Sequence, residues 1–176
     1  MGRARAILYL LIGAILFTGS ATAPAQISES EVKAAFLPRF ARYVTWPASA
    51  RPNGNDPYVL CVIGSDPFGG ALDSAARSQS VDGRRIVVRH LNSASGAGAC
   101  QIAYVSGNSI GQTLAALKGR PVLTVTDASK GGLRGIIHFS VVGGRVRFFI
   151  DEADAASRGM TISSRLLALA ISVKQR

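Results

Sequence analysis

The amino-acid sequence predicts one α/β domain, a mixed sheet of about five to six strands with helices on both faces and a C-terminal hairpin and helices. Apolar runs of strand length alternate with helical segments, which is typical of parallel strands joined by crossover helices. Gly143-Gly144 lies between two alternating segments and predicts a hairpin. The 176 residues are 48% hydrophobic and 17% charged, which excludes disordered and collagen-like chains.

The first 25 residues have the pattern of a cleaved export signal. Arg3 and Arg5 precede an apolar stretch from Ala6 to Phe17, and Ala23 and Ala25 fit a small-residue cleavage site. That stretch is shorter than the roughly 18 apolar residues that a membrane-spanning anchor needs. We therefore expect a signal peptide over 1–25, a mature domain over 26–176, and a periplasmic or secreted protein.

The mature chain begins with an amphipathic pattern that predicts a helix over 29–45. Ser28 and Glu31 have the spacing of a capping box, and apolar residues then recur at helical intervals. Pro38 lacks an amide donor and predicts a kink. Trp46-Pro47 ends the helix, and a loop follows over 48–57.

The middle of the chain contains two strand–helix–strand units. In the first, an apolar strand ends at Ile63, Asp66 is placed to cap a helix whose first residue is Pro67, and another strand follows. The predicted strands and helices, in order, cover 58–63, 67–77, 84–91, 100–105, 108–118 and 121–126. These units predict parallel pairing.

The last third of the sequence has a hairpin pattern in place of strand–helix–strand units. Two strands over 136–142 and 145–150 flank the glycine pair, and terminal helices are predicted over 151–158 and 162–173. The chain has no internal repeat and its connections are mostly short, so we expect a single domain.

The charge balance restricts the partners. Without Arg3 and Arg5 the chain keeps 18 basic residues against 10 acidic ones, a net charge of +8. Such a charge favours nucleic acid, anionic lipid or an acidic protein surface, and export removes nucleic acid from these. The alternative is that the basic residues form a solvated surface that keeps the protein soluble.

Cys61 and Cys100 are the only cysteines. In an oxidising compartment an even pair favours a disulfide, and the absence of C-x-x-C spacing indicates a structural rather than a redox-active bridge. A bond requires Cα atoms within about 7 Å, and the alternative is two buried free thiols.

The sequence offers no catalytic constellation. His90 and His138 are the only histidines, each lies in a predicted strand, and neither has a cysteine or carboxylate at metal-ligand spacing. No serine has the G-x-S-x-G context of a hydrolase. We therefore expect neither an enzyme nor a bound metal or cofactor, and packing or surface roles for both histidines.

A weaker pattern points to a ligand. Gly64, Ser65 and Asp66 follow a strand and precede a helix, where phosphate loops lie, but Gly70-Ala71 replaces the Lys-Ser/Thr pair that such a loop requires. Backbone amides here could still bind a small anion. The alternative is an ordinary capped turn, and the same two interpretations apply to the loop at 127–132.

Short motifs distributed along nearly the whole mature chain resemble the YfiR family of exported bacterial proteins. They occur in the family's order: Glu31 to Leu37, Phe40 to Val44, Trp46-Pro47, Leu60 to Gly64, Asp66 to Gly69, Gly83-Arg84, Cys100, Val105-Ser106, Pro121 to Asp127, Arg145 to Ile150 and Ile162 to Leu167. Pro38-Arg39, Arg134 and Phe149 depart from the usual family residues.

The resemblance implies a regulatory function. Family members resemble periplasmic inhibitors that bind the sensor domain of an inner-membrane diguanylate cyclase, and an outer-membrane lipoprotein sequesters them. The two cysteines match the family's disulfide positions, and no catalytic residue is carried over. The expected function is thus inhibition that lowers cyclic-di-GMP signalling, with biofilm regulation as its consequence. The alternative is a periplasmic binder of a nucleotide or amino acid.

We predict that the partner binds the hairpin and the segment after it. Arg145 and Arg147 alternate on one strand face, Asp151 follows that strand, and Trp46 would supply an aromatic anchor. The alternative is that Trp46 covers the core and the arginines form a solvated face. A symmetric homodimer is a further expectation.

Overall fold

A computed structural model describes residues 27–130 and 132–175 of the chain; the predicted signal peptide lies outside these residues. Its helices are α1 Glu29–Phe40, α2 Gly70–Arg77, α3 Ile110–Ala116, α4 Glu152–Ser157 and α5 Ser164–Leu167. Its strands are β1 Val44–Thr45, β2 Tyr58–Ile63, β3 Ser80–Val81, β4 Arg84–Leu91, β5 Ile102–Val105, β6 Leu123–Asp127, β7 Ile137–Val142, β8 Arg145–Asp151, β9 Thr161–Ile162 and β10 Ser172–Lys174. Within the described ranges, no helix is long and apolar enough to cross a membrane.

The mixed α/β class is confirmed. The main sheet has the strand order β10-β8-β7-β6-β5-β2-β4-β3. Strands β4, β2, β5, β6 and β7 are parallel, whereas β8 is antiparallel to β7. Six of the strands have four or more residues, and the short β10 and β3 lie at the two edges. A separate antiparallel pair joins β1 to β9.

Helices cover both faces of the parallel part of the sheet. In β2, the side chains of Tyr58, Leu60 and Val62 belong to one hydrophobic cluster, which also contains residues of α1 and α2. The alternate residues of β2 belong to a second cluster on the other face, with residues of α3. This alternation is the period-2 geometry of a strand that is buried on both sides.

Helix α1 begins where the sequence predicts. The Ser28 hydroxyl accepts a hydrogen bond from the Glu31 amide and the Glu31 carboxylate accepts one from the Ser28 amide, which confirms the capping box. The helix ends at Phe40 rather than at 45, because a 3₁₀ turn over Ala41–Tyr43 and strand β1 follow. Phe36 packs with Phe40 at its end, beside the rings of two strand residues, Phe139 and Phe148.

Helix α2 begins at Gly70, not at Pro67. Gly69 has φ +52° and ψ −141°, a backbone conformation that is incompatible with helix. The Asp66 carboxylate instead accepts a hydrogen bond from the Phe68 amide at 2.7 Å, which forms a turn before the helix.

The prediction of a long helix over 162–173 is wrong. The chain forms β9, a single short helix at α5, and the edge strand β10, which pairs in parallel with β8. The Ile171 amide donates to the Phe148 carbonyl at 2.8 Å. Pairing along the free edge of β8 thus satisfies backbone groups that a helix would have satisfied internally.

The predicted disulfide is confirmed. Cys61 in β2 is bonded to Cys100, which lies just before β5, and their Cα atoms are 5.9 Å apart. Both residues belong to the second hydrophobic cluster, under the 3₁₀ turn over Ala94–Ala99. The bond therefore closes the connection between β2 and β5 on the α3 side of the sheet. By the chain-entropy model, a disulfide that closes a loop of about 40 residues stabilises the folded state by roughly 4 kcal/mol.

Candidate functional site

Among the described residues, the outer face of the β7–β8 hairpin has no hydrophobic cluster packed on it. Alternate residues of β8, Phe148 and Ile150, point into the first cluster beneath α1. Within the described residues, the second cluster ends at β5 and Val122, so it does not extend across β7 and β8. The opposite face of the hairpin therefore contacts solvent along much of its length.

Four side chains define this surface, which we call the basic face: Arg134, Arg145, Arg147 and Phe149. The three residues on β8 are spaced by two and so lie on one side of the strand. The three arginines are exposed, and Phe149 is half-buried. The Gly143-Gly144 turn, with φ of +58° and +71°, connects the two strands tightly at the end of this face, as the sequence predicts.

Arg134 and Phe149 are in contact. The Arg134 guanidinium lies over the Phe149 ring, 4.7 Å from its centroid, which is a cation–π geometry. The fold places these two residues, which lie in different segments of the sequence, side by side. The contact holds Arg134, a third arginine, beside the strand that carries Arg145 and Arg147.

Arg145 and Arg147 form no ion pair with any residue in the described ranges. Two other basic residues are paired: Arg158 with Asp154 at 2.6 Å, and Lys174 with Asp151 at 2.9 Å. The two hairpin arginines are therefore not paired with a carboxylate in the part of the chain that the structure describes.

Asp151, predicted as a partner-binding residue, has structural contacts on both carboxylate oxygens. Oδ1 accepts from the Asp154 amide at the start of α4, and Oδ2 accepts from Lys174. Burial alone would raise the pKa of Asp151, but these hydrogen bonds outweigh it and hold the pKa below its usual value. Asp151 therefore fixes α4 and β10 to the end of β8.

Trp46, predicted as an aromatic anchor for the partner, is buried in this fold. Its side chain is 1% exposed and its ring packs against Tyr58. The indole N–H donates to the Gln101 carbonyl at 3.2 Å. Trp46 thus covers the core at the amino ends of β2 and β5, as the alternative interpretation expects. Burial of its large apolar ring stabilises the protein.

The candidate ligand residues separate into two groups. Gly64 and Ser65 line a cavity of about 250 Å³ at the carboxyl ends of β2 and β5. Asp66 does not line it, and its second oxygen contacts His90 Nε2 at 2.8 Å. The structure thus brings together a carboxylate and a histidine that are 24 residues apart and that sequence spacing did not connect.

His138 has a packing environment. It is 3% exposed, and its Nδ1 shares a hydrogen bond of 2.8 Å with the Thr126 hydroxyl. Burial, reinforced by the positive charge of Arg134, lowers the pKa of His138 below its usual range. Among residues 27–130 and 132–175, no group of three or more His, Cys, Asp or Glu side chains is arranged to hold a metal ion.

Sequence reasoning missed a buried ion pair between α1 and the sheet. Lys33 is hydrogen-bonded to Asp127 at the end of β6, and the side chains of both residues are 4% exposed. Lys33 also contacts Glu29, one turn earlier in α1. The 94 residues that separate Lys33 from Asp127 leave no local pattern from which the pair could be predicted.

Comparison with known proteins gives a family. The model of YfiR/HmsC-like proteins matches residues 30–171, which covers every helix except the first residue of α1 and all strands except the edge strand β10. No curated protein matches the sequence. The matched region contains both cysteines of the disulfide and the whole β7–β8 hairpin. Because the match extends over most of the chain, this protein belongs to the YfiR/HmsC-like family.

Proposed function

We propose that the chain, after export, is a periplasmic regulator that binds and inhibits the sensor domain of an inner-membrane diguanylate cyclase and thereby lowers cyclic-di-GMP signalling. Its membership of the YfiR/HmsC-like family supports regulation rather than catalysis. The observation that carries the proposal furthest is the basic face, where two exposed arginines form no ion pair with any residue that the structure describes.

The chemistry of the basic face favours an acidic protein partner. Two guanidinium groups on one side of a strand offer paired donors that match carboxylates in both charge and geometry. Arg134, stacked on Phe149, adds a third cation and a flat aromatic surface. Arginine and aromatic residues are the types that contribute most to protein interfaces. The partner surface we propose is therefore rich in Asp and Glu.

The charge of the basic face also bears on two other candidate partners, a lipoprotein and a second copy of the chain. An outer-membrane lipoprotein that carries an acidic patch would compete with the cyclase for the basic face and so relieve inhibition. A homodimer formed through this face would place like charges against each other, which opposes association. We therefore place any dimer contact elsewhere on the molecule.

The proposal is tested by titrating the mature chain, residues 26–176, with purified periplasmic domains of the bacterium's membrane diguanylate cyclases in a calorimeter. We expect one of these domains to bind. The double variant Arg145→Glu, Arg147→Glu should weaken that binding by at least about tenfold, a change of roughly 1.4 kcal/mol, at low salt. The loss should become smaller at high salt, where surface charges are screened.

A matched control reverses two exposed arginines at the opposite end of the sheet, Arg77→Glu and Arg85→Glu. This control changes the net charge equally but leaves the hairpin intact. Wild-type affinity and salt dependence in the Arg145, Arg147 variant, or an equal loss in both variants, would show that the hairpin is not the interface.

A further inference from the structure

Strand β8 is longer than the edge strand that pairs with it. β10 pairs with Phe149, Ile150 and Asp151 at the end of β8, and the Ile171 amide extends this contact to the Phe148 carbonyl. The first three residues of β8, 145–147, have β7 on one side and no strand of the described chain on the other. We call this part of β8 the open edge.

The backbone of Val146 points to the open edge. In a strand, alternate residues direct their N–H and C=O groups to the same side, and the Phe148 carbonyl points to the side of β10 because it accepts from Ile171. The amide and carbonyl of Val146 therefore lie on that side, and they form no hydrogen bond there with a residue in 27–130 or 132–175. Such a donor and acceptor are a template for another strand.

The two faces of the sheet beside the open edge differ in chemistry. Arg145 and Arg147 lie on the basic face, whereas Val146 lies on the α1 side, as does Phe148 in the first cluster. On that side Val146 borders a groove of about 390 Å³, whose other apolar lining residues are Val32, Phe36 and Val141. A strand added at the open edge would therefore contact arginines on one face and apolar side chains on the other.

We propose that the cyclase sensor domain binds the open edge by β-strand addition, an inference that rests on the proposed function for the identity of the partner. An extended segment of the partner pairs with the backbone of Val146. Neighbouring residues on adjacent strands share a face, so its side chains alternate between acidic ones beside Arg145 and Arg147 and apolar ones beside the groove. A second copy of the chain does not fit this edge, because it would bring arginines against arginines.

Proline substitution tests the open edge. Val146→Pro removes the outward N–H, and proline is tolerated in a strand where its N–H would face solvent. Val141→Pro is the matched control, because Val141 lies directly opposite Val146 in the hairpin. Its backbone points away from β8, since the Ile136 carbonyl, an odd number of residues earlier, accepts from Asp151 of β8. Pairing of β7 with β6 ends at Phe139, so the control also lies beyond a paired segment.

The probe is the peptide acetyl-Glu-Val-Glu-Val-Glu-Val-amide, titrated into the isotope-labelled mature chain at low salt and followed by two-dimensional amide NMR. We expect saturable shifts of the Val146 and Phe148 amides and slower hydrogen exchange at Val146. Val146→Pro should weaken binding about fivefold, the effect of one hydrogen bond, and Val141→Pro should bind as the wild type does. Two control peptides should bind more weakly: the same residues in blocks, acetyl-Glu-Glu-Glu-Val-Val-Val-amide, and the alternating peptide with Lys in place of Glu.

The inference is overturned if the alternating acidic peptide leaves the Val146 and Phe148 amides unshifted up to about 10 mM, above the millimolar affinity of weak ligands. It is equally overturned if a control peptide binds as tightly, or if Val146→Pro and Val141→Pro have the same effect.

Hydrogen exchange in the complex with a cyclase domain separates this inference from the proposed function. Protection of the Val146 amide by the bound domain supports both. A bound domain that leaves this amide exchanging freely overturns strand addition and leaves the proposed function intact. Peptide binding at the open edge, without binding of any cyclase domain, supports the edge as a strand-binding site and contradicts the proposed function.

Discussion

At the scale of single residues, the buried pair of Lys33 and Asp127 determines how α1 lies on the sheet. Lys33 on α1 reaches Asp127 at the end of β6. The Asp127 carboxylate also accepts a hydrogen bond from the Ser129 amide at 2.8 Å. Burial of two charges is costly unless each has its partner. The pair thus specifies the position of α1 more than it stabilises the fold, because α1 in another position would leave both charges unpaired.

Replacing Asp127 by Asn should destabilise the protein. Removal of one partner from a buried ion pair typically costs about 3–5 kcal/mol, and we expect the lower end because Glu29 continues to neutralise Lys33. The double variant Lys33→Met, Asp127→Asn should recover most of this loss, since no buried charge remains. Urea unfolding at pH 7 measures the free energy of unfolding of both variants. A double variant less stable than Asp127→Asn would contradict this account.

The same pair predicts a pH dependence. Burial by itself would raise the pKa of Asp127, but the hydrogen bonds from Lys33 and Ser129 outweigh it and lower the pKa. A carboxyl whose folded pKa lies below its unfolded value stabilises the protein above that value, and this stabilisation is lost as the pH falls through the folded pKa. The stability gap between wild type and Asp127→Asn should therefore shrink below about pH 4. A gap that widens there would refute the assignment.

Individual residues also show what the sequence could and could not predict. The Ser28–Glu31 capping box and the disulfide were predictable, the first because it is a local pattern and the second because only two cysteines are present. The contacts of Lys33 with Asp127 and of Asp66 with His90 depend on strand order. Burial of Trp46 likewise depends on what packs around it, which spacing alone does not determine.

At the scale of elements, two glycines in the connection from β2 to α2 have different backbone conformations and surroundings. Gly64 ends β2 with a positive φ and lies against the next loop, whereas Gly70 begins α2 without a positive φ and has no atom within 4 Å of an added Cβ. The two glycines are six residues apart in one connection. They therefore form a matched pair for testing the geometry of the cavity wall.

Alanine substitutions at these glycines should have opposite effects. Gly64→Ala should destabilise the protein by about 1–3 kcal/mol from backbone strain, in addition to the overlap with the Ser106 carbonyl. Gly70→Ala should stabilise it by about 0.4–1 kcal/mol, because alanine loses less entropy on folding. Thermal and urea unfolding of both variants check this. Equal effects at the two positions would mean that the loops after β2 and β5 do not approach closely.

The C-terminal segment shows where element prediction fails. The apolar residues between Ile162 and Val173 recur at intervals that fit a helix, yet the segment forms α5 and then the edge strand β10. The deciding contact is with β8, whose last residues present free backbone groups at the sheet edge. Local periodicity contains no information about such an edge, so the helix was predicted too long.

At the scale of the whole molecule, the sheet has two parts with different surroundings. The parallel part has helices on both faces and contains the disulfide and the cavity at β2 and β5. The hairpin part has a hydrophobic cluster on one face only, and its other face presents two exposed arginines that form no ion pair with the described residues. The part of the sheet that the disulfide cross-links thus supports a basic, exposed part, an arrangement suited to a binding protein.

The central claim is that this chain inhibits a membrane diguanylate cyclase through its basic face, and cellular cyclic-di-GMP tests it most directly. Cyclic-di-GMP is quantified by mass spectrometry in a strain that expresses the cyclase and lacks the gene for this chain, and again after complementation. We predict that the deletion raises cyclic-di-GMP and surface attachment, and that the wild type and the Arg77→Glu, Arg85→Glu control restore the low level. The Arg145→Glu, Arg147→Glu variant, present in equal amount in the periplasm, should not restore it. Unchanged cyclic-di-GMP, attachment and motility after the deletion would contradict the account.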